Sequence, residues 1–183
     1  FERDRALIVM FKAKAVYAKL SLIYLELHNS LTICNYTLPG WASPLNLARD
    51  KNPNGNYVGD KDLDQRYYNA VTGENLTLAQ FEDIGIRILS LTRALNARAM
   101  NTKDQRNQHD AIPAWYFPTV AADGTKTWKS GICQIEAADM EVAKTMLYTE
   151  FGWDTTTGMP TRATFERLGM KAIADALGAN LLP

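Results

Sequence analysis

The chain has 183 residues, of which 46% are hydrophobic and 22% are charged, a balance typical of a globular domain with one core. Its 20 Lys and Arg residues equal its 20 Asp and Glu residues, which argues against a dedicated nucleic-acid-binding protein and favours association with other protein surfaces. Two cysteines are too few for a secreted disulfide scaffold and indicate a cytoplasmic setting, and lysines interrupt the first apolar run before it could span a membrane.

The first predicted element is a long helix over residues 4–27, which are rich in Ala, Leu, Met and Lys. Its apolar residues recur near helical spacing on more than one side, which indicates a helix packed against several neighbours. Residues 35–61 contain three prolines and three glycines and predict a long irregular loop. Such an insertion is usually functional or interfacial.

The central part of the chain predicts a short helix over residues 62–70 and a long helix over residues 78–100. Thr77 and Gln80 have the spacing of a capping box, which marks the start of the long helix. Gly85 within that helix lowers its stability and so indicates a close neighbouring backbone. The predicted apolar stripe of the long helix comprises Phe81, Ile84, Ile88, Leu91 and Leu95.

The C-terminal part begins with a polar segment whose aromatic end, Trp115 to Phe117, is predicted to fold back onto the core. Asp123-Gly124 is a hairpin turn sequence and predicts a small β-ribbon. Three shorter helices are predicted over residues 140–151, 162–168 and 170–177. Their predicted caps and stops are Asp139, Gly152, Thr161 and Gly178.

The order of these elements shows no βαβ alternation, so the fold class is predicted to be mainly α. We expect five or six helices, the long irregular loop over residues 35–61 and a small β-ribbon. Together they are predicted to form a single helical domain over residues 1–183.

No motif for phosphate, dinucleotide, zinc or serine-hydrolase chemistry occurs in the sequence. His28 could be a ligand or an acid–base group, but we favour a helix C-terminal His that interacts with the last carbonyls. His109 is interpreted as a solvated loop residue and Cys133 as a small buried side chain. The scattered tryptophans are interpreted as packing anchors. We interpret three arginines of the long helix as a solvated or interdomain salt-bridging face rather than a site for an anionic partner: Arg87, Arg93 and Arg98.

Cys34 leaves two interpretations open on chemistry alone. It follows the first helix in a turn of small polar residues, where a thiolate could be one of four cysteine ligands of an iron–sulfur cluster. The other ligands would then come from outside this sequence. A partly buried, unligated cysteine is the simpler alternative.

Three stretches in register resemble the aldehyde ferredoxin oxidoreductase family of tungsten- or molybdenum-pterin enzymes. Residues 67–98, YYNAVTGENLTLAQFEDIGIRILSLTRALNAR, look like the family stretch AxTG…EExxxxGxRixxLxRxfN. The segment DQRNQHDAIPAWYF is similar to R-x-x-D-x-l-P-x-r-f, with Asp110 and Pro113 in the matching places. Residues 148–170, YTEFGWDTTTGMPTRATFERLGM, resemble the C-terminal signature YYxxxGWDxxGxPTxxxLxxLGL. The resemblance runs from about residue 20 to 177 and implies the C-terminal helical domain of that family.

The resemblance assigns roles to the residues that follow the first helix. Ahead of AxTG the family carries D-x-x-G-L-C, whose Cys is the fourth ligand of a [4Fe–4S] cluster and whose Asp and Cys-flanking residues hold one pterin. By this match Cys34 is the cluster ligand, and Asn29, Ile33 and Asn35 are pterin contacts, the last two mainly through the backbone. Asn29 replaces the family Asp, and an amide can accept with one oxygen only. Thr32 stands at the position of the family Gly.

The resemblance also implies what the chain does and with what. The cofactors would be a [4Fe–4S] cluster and a tungsto- or molybdo-bispterin, and the reaction would oxidise a small aldehyde to a carboxylic acid. The family's N-terminal pterin and cluster domains are not in these residues, so the chain is expected to be a fragment or a subunit of a larger enzyme, with no catalytic residue of its own. Ferredoxin or an iron–sulfur electron-transfer subunit would take the electrons. The enzyme is expected to be an oligomer and to bind no nucleic acid.

Two alternatives stay open at this point. Some relatives reduce aromatic acyl-CoA thioesters, and the residues nearest the metal, which would decide between the substrates, lie upstream. The chain could instead be a non-catalytic helical scaffold or interaction subunit that keeps the fold and binds partners.

Overall fold

The structure is a computed structural model that describes residues 2–34, 62–127 and 136–183, with side chains described from residue 11 onward. Its α-helices are α1 (Glu2–Leu31), α2 (Leu63–Thr72), α3 (Leu78–Met100), α4 (Gln105–Gln108), α5 (Ala137–Phe151), α6 (Arg162–Arg167) and α7 (Lys171–Leu181). The other elements are a 3₁₀ turn, Ala114–Tyr116, and the antiparallel strands β1 (Thr119–Val120) and β2 (Lys126–Thr127). The prediction of a mainly α fold is confirmed. The predicted loop over residues 35–61 lies outside the described residues.

The predicted start of α3 is confirmed. The Thr77 amide donates to Gln80 Oε1 at 2.8 Å, and the Gln80 amide donates to Thr77 Oγ1 at 3.3 Å. These reciprocal bonds satisfy amides that a helix start otherwise leaves without a partner, which is the role of a capping box.

Two further helix boundaries and one helix interruption follow from local sequence. Thr161 caps α6, because its Oγ1 accepts the Thr164 amide at 3.1 Å. Gly152 ends α5 with a φ of 69°, and Gly178 interrupts α7 with a φ of 61°. The prediction that Asp139 caps α5 is wrong. The helix begins earlier, at Ala137, because two alanines extend it, and Asp139 lies in its first turn.

The chain forms two compact units. The smaller unit comprises residues 22–89 and contains the end of α1, all of α2 and the start of α3. Its core includes Ile23, Leu27, Phe81 and Ile86, all buried. Gly85 has the predicted close neighbour, because a Cβ built on it would lie 2.8 Å from the Ile23 carbonyl oxygen.

The larger unit comprises residues 1–21 and 90–183. Its buried residues come from most of its helices and from the turn between α5 and α6. They include Phe11, Ala94, Ala97, Tyr148, Phe151, Trp153, Met159, Phe165, Leu168 and Leu177. The signature segment over residues 148–170 therefore contributes several of these core residues.

The predicted apolar stripe of α3 is wrong over its second half. Leu91 and Leu95 are 38% and 53% exposed, and the buried positions are Ser90, Ala94 and Ala97. These small residues repeat at helical spacing, and they form the packed face because small side chains allow neighbouring elements to approach closely.

The aromatic segment after α4 also differs from its prediction. Trp115 and Tyr116 are 61% and 44% exposed, and only Phe117 is half-buried. The 3₁₀ turn that follows Pro113 places the first two rings against each other, with centroids 4.7 Å apart, at the surface rather than in the core.

Candidate functional site

Helix α1 ends in a tight left-handed turn that leads directly to Cys34. Thr32 has a φ of 57°, and the Ile33 amide donates to the His28 carbonyl at 2.9 Å. This is the long hydrogen bond of a Schellman motif, in which the residue after the helix adopts the left-handed conformation. Ile33 is half-buried and Cys34 is exposed. The turn therefore presents the thiol at the surface immediately beyond a closed helix end.

Thr32 is an unusual residue for this turn. A β-branched side chain is strongly disfavoured at positive φ, where glycine is favoured. Thr32 stands at the position of the Gly in the D-x-x-G-L-C pattern. Its left-handed conformation gives a physical reason for that Gly, because glycine adopts positive φ without a steric cost. Here the turn forms with Thr instead, at a cost in backbone strain.

His28 is buried and bonded to a second helix. Its ring is 0% exposed, and its Nε2 lies 2.8 Å from Oδ2 of Asp64, which is 6% exposed. His28 lies in the last turn of α1, as interpreted, but its Nε2 bonds to a carboxylate of α2 rather than to a carbonyl of its own helix. Its ring turns inward to α2, while its carbonyl accepts the Ile33 amide.

Tyr24, one turn before His28, extends this polar cluster. The Tyr24 and His28 rings meet edge to face, with centroids 6.2 Å apart. Burial raises the pKa of Tyr24, and the nearby carboxylates of Glu82 and Asp64 raise it further. Its hydroxyl bonds to Glu82, so the phenol remains protonated at neutral pH. The polar side of the α1 end thus contacts both α2 and α3 within the smaller unit.

The structure places three of the four expected cofactor residues on one helix end. Asn29 and Cys34 are exposed and Ile33 is half-buried, whereas Asn35 lies outside the described residues, as does Cys133. In the described parts of the chain, no three His, Cys, Asp or Glu side chains gather into a metal site. An exposed thiol on a closed turn fits one ligand of a cluster whose other ligands come from elsewhere.

A second polar cluster lies in the larger unit and is centred on Arg93. Its guanidinium donates to Asp110 Oδ2 at 2.7 Å and to the Gly158 carbonyl at 3.0 Å. The Tyr148 hydroxyl donates to the same Asp110 oxygen at 2.6 Å. Each of the three stretches that resemble the family contributes a member, so these signature residues bond to one another. The interpretation of Arg93 as part of a solvated or interdomain face is wrong.

The electrostatics of Asp110 follow from these contacts. Burial acts to raise its pKa, but the Arg93 guanidinium and hydrogen bonds from Tyr148, His109 and Arg93 hold it below its usual value. His109 is 45% exposed, as expected for a solvated residue, and its Nδ1 lies 2.8 Å from Asp110 Oδ1. The carboxylate is therefore charged at neutral pH and balances Arg93.

Trp153 confirms the interpretation of a tryptophan as a packing anchor. Its ring stacks on Phe151 with centroids 4.4 Å apart, and the Arg93 guanidinium lies 4.4 Å from the Trp153 ring centroid. Such a cation–π contact adds to the ion pair because the ring face is negative. Trp115 does not fit the interpretation, since it is exposed, and Trp41 and Trp128 lie outside the described residues.

Sequence reasoning missed the role of Asp64. An acidic side chain near a helix start is favourable in itself, and so gives no reason to expect a buried partner. The available signal was spacing, because Asp64 lies one turn before Tyr68, whose ring is 5.5 Å from that of Phe81 in the core. An acidic residue on the buried face of a short helix requires a partner, and the partner is His28.

Comparison with known proteins identifies the family to which the chain belongs. A family model described as aldehyde ferredoxin oxidoreductase, domains 2 and 3, matches residues 3–170. The chain belongs to this oxidoreductase family. No solved structure matches the chain. Across the part of the chain that the structure describes, no helix has the length and apolar character needed to cross a membrane.

Proposed function

We propose that this chain is the C-terminal portion of a tungsten- or molybdenum-pterin oxidoreductase and that Cys34 is the fourth ligand of its [4Fe–4S] cluster. The observation that supports the proposal most directly is the exposed thiol beyond a left-handed turn, at the place where the family carries its cysteine. Family membership over residues 3–170 supports the cofactor class.

The proposed reaction converts an aldehyde and water to a carboxylic acid, two protons and two electrons. When bound, the pterin-held metal and the cluster supply the oxidation and the path for the electrons, which pass to ferredoxin or an iron–sulfur subunit. The substrate and the electron acceptor are part of the proposal, as is a cytoplasmic location.

This chain's residues would contribute binding and orientation. The Cys34 thiolate would bind iron, which requires loss of its proton. Asn29 is exposed on the last turn of α1, where its amide can both donate to and accept from a pterin edge. Ile33 would contribute mainly through its backbone, as would Asn35. The part of the enzyme that carries the other cysteines and pterin contacts is the principal partner.

The direct test is the substitution Cys34→Ser in the holoenzyme. We expect loss of the [4Fe–4S] electron paramagnetic resonance (EPR) signal of the reduced protein, because a serine hydroxyl does not replace the thiolate. Cys133→Ser is the matched control and should leave the iron content unchanged. An unaltered signal in the Cys34 variant would remove that residue from the ligand set.

A second candidate function is a non-catalytic helical subunit. Two residues support it, since Asn29 replaces the family Asp and Thr32 replaces the family Gly in the motif that holds the cofactors. Metal analysis of the native complex separates the two functions. Iron together with tungsten or molybdenum supports the enzyme, and absence of all three metals supports the scaffold.

A further inference from the structure

We propose that His28 and Asp64 are a positioning pair that fixes the orientation of the helix end from which Cys34 projects. The proposal rests on the proposed function of Cys34 and adds two residues that would control it without touching the cluster. It follows from contacts within the smaller unit.

The first step is that His28 is held through both its side chain and its main chain. Its Nε2 is 2.8 Å from Asp64 Oδ2, and its carbonyl oxygen accepts the Ile33 amide at 2.9 Å. Ile33 immediately precedes Cys34. Only the closing turn therefore separates the His28–Asp64 bond from the thiol, and a shift of His28 is transmitted through a hydrogen-bonded backbone.

The second step is that Asp64 lies on a helix that is itself anchored. Farther along α2, the Asn69 side-chain amide donates to the Leu76 carbonyl at 2.9 Å, and its Oδ1 accepts the Leu76 amide at 3.1 Å. Tyr68 packs against Phe81 on the same side of α2 as Asp64. The acceptor for His28 is thus a fixed point rather than a mobile surface carboxylate.

The third step concerns the choice of a polar pair. Burying an imidazole and a carboxylate carries a desolvation cost that two apolar side chains would avoid. A hydrogen bond, however, weakens steeply when its angle changes, whereas apolar contacts are non-directional. The pair therefore resists rotation of α1 about its axis, and such rotation would move the turn that carries Cys34.

The experiment compares two amides at position 28 in the holoenzyme. Gln places its side-chain nitrogen near the position of the imidazole Nε2 and should retain the bond to Asp64, whereas the shorter Asn should lose it. We expect His28→Asn to lose cluster iron to a chelator about 10-fold faster than wild type. This is the lower end of the range of effects expected when a group that supports a metal ligand is removed. His28→Gln should remain close to the wild-type rate.

The controls separate positioning from general stability. Ile86→Ala removes buried volume from the same unit while both members of the His28–Asp64 pair are retained, and it should leave the rate of iron loss and the EPR line shape unchanged. His28→Asn should change the line shape as well as the rate. Asp64→Ala removes the acceptor and is the second variant if His28→Asn does not fold.

Each outcome has a distinct meaning. If His28→Asn and Asp64→Ala retain iron as Ile86→Ala does, the positioning role is wrong, even though Cys34→Ser still abolishes the cluster. If Cys34→Ser retains the cluster, the proposed function fails first. If Gln and Asn at position 28 behave alike, the hydrogen bond to Asp64 is not the cause, and the proposal is overturned.

Discussion

The ends of α1 and α3 form the same backbone turn with different residues. At the end of α1 the Ile33 amide donates to the His28 carbonyl, and Thr32 between them has a φ of 57°. At the end of α3 the Thr102 amide donates to the Ala97 carbonyl at 3.0 Å, and Asn101 has a φ of 50°. The difference lies in the residue at the left-handed position, because Asn adopts this conformation at a lower steric cost than the β-branched Thr.

The two turns also differ in what the chain does immediately after them. After the α3 turn, the chain bonds back into its own unit, since Thr102 Oγ1 accepts the Asp104 amide and the Asp104 carboxylate caps α4. After the α1 turn, the chain presents an exposed thiol. Backbone strain is often retained where it serves a function. The α3 turn is therefore structural, and the strain at Thr32 is in keeping with the proposal that the α1 turn carries a cluster ligand.

The largest expected effect on stability comes from removing the Asp110 carboxylate, which pairs with Arg93 of α3. Asp110→Ala leaves the Arg93 guanidinium, only 13% exposed, without its carboxylate and leaves the Tyr148 hydroxyl without its acceptor. We expect the free energy of unfolding to fall by about 3 kcal/mol. Urea denaturation, followed by tryptophan fluorescence to which the buried Trp153 contributes, measures the change.

The matched control for Asp110 is Asp175, whose ion pair with Arg162 is exposed on both sides. Asp175→Ala should leave the urea midpoint unchanged within error, because water screens exposed pairs. Equal midpoints for the two variants would show that the Arg93 cluster does not stabilise the larger unit.

The next effect concerns the close packing of α3 against the C-terminal part of α1 at Gly85. Gly85→Ala adds a Cβ that would lie 2.8 Å from the Ile23 carbonyl oxygen and 2.9 Å from its Cγ2. Because a backbone atom must move, we expect a loss of about 2 kcal/mol despite the better helix propensity of Ala. Unfolding followed by circular dichroism measures it. A gain in stability would show that α1 and α3 are not closely packed at this point.

Lowering the pH should weaken the Arg93 cluster without any substitution. The pKa of Asp110 lies below its ordinary value of 3.8, so its contribution is complete above that value and is lost as the pH falls through the lower, folded pKa. We expect the fall in stability below about pH 4 to be shallower in Asp110→Asn than in wild type. Parallel curves from urea titrations between neutral and acidic pH would contradict this assignment.

The sequence predicted what depends on local chemistry. The Thr77 capping box, the Thr161 cap and the stop at Gly152 follow from side chains and backbone preferences within a few residues, and all three are found. Which of two faces of α3 is buried could not be predicted, because both carry suitable residues and the choice depends on distant packing. Arg93 and Asp110 were placed in the correct motifs, but no local signal pairs them.

In the candidate site, too, the sequence predicted the local features but not the contact between distant residues. The resemblance placed Cys34 and Asn29 on one segment, and the structure places both on one exposed helix end. The His28–Asp64 pair was missed because its members are far apart in sequence, and a lone histidine near a helix end has a simpler local interpretation. Pairs between buried polar groups become visible only once the helices are packed.

The smallest effect tests the α1 and α3 turns directly. Thr32→Gly relieves the left-handed strain of a β-branched residue, and we expect it to raise the free energy of unfolding of the smaller unit by about 1 kcal/mol. Asn101→Gly is the matched control, because it makes the same change in a turn whose residue already tolerates the conformation, and it should change stability by only a few tenths of a kcal/mol. Circular dichroism melts of both variants supply the comparison. Equal shifts would mean that Thr32 is not strained, and the α1 turn would then lose the feature that sets it apart from the structural turn of α3.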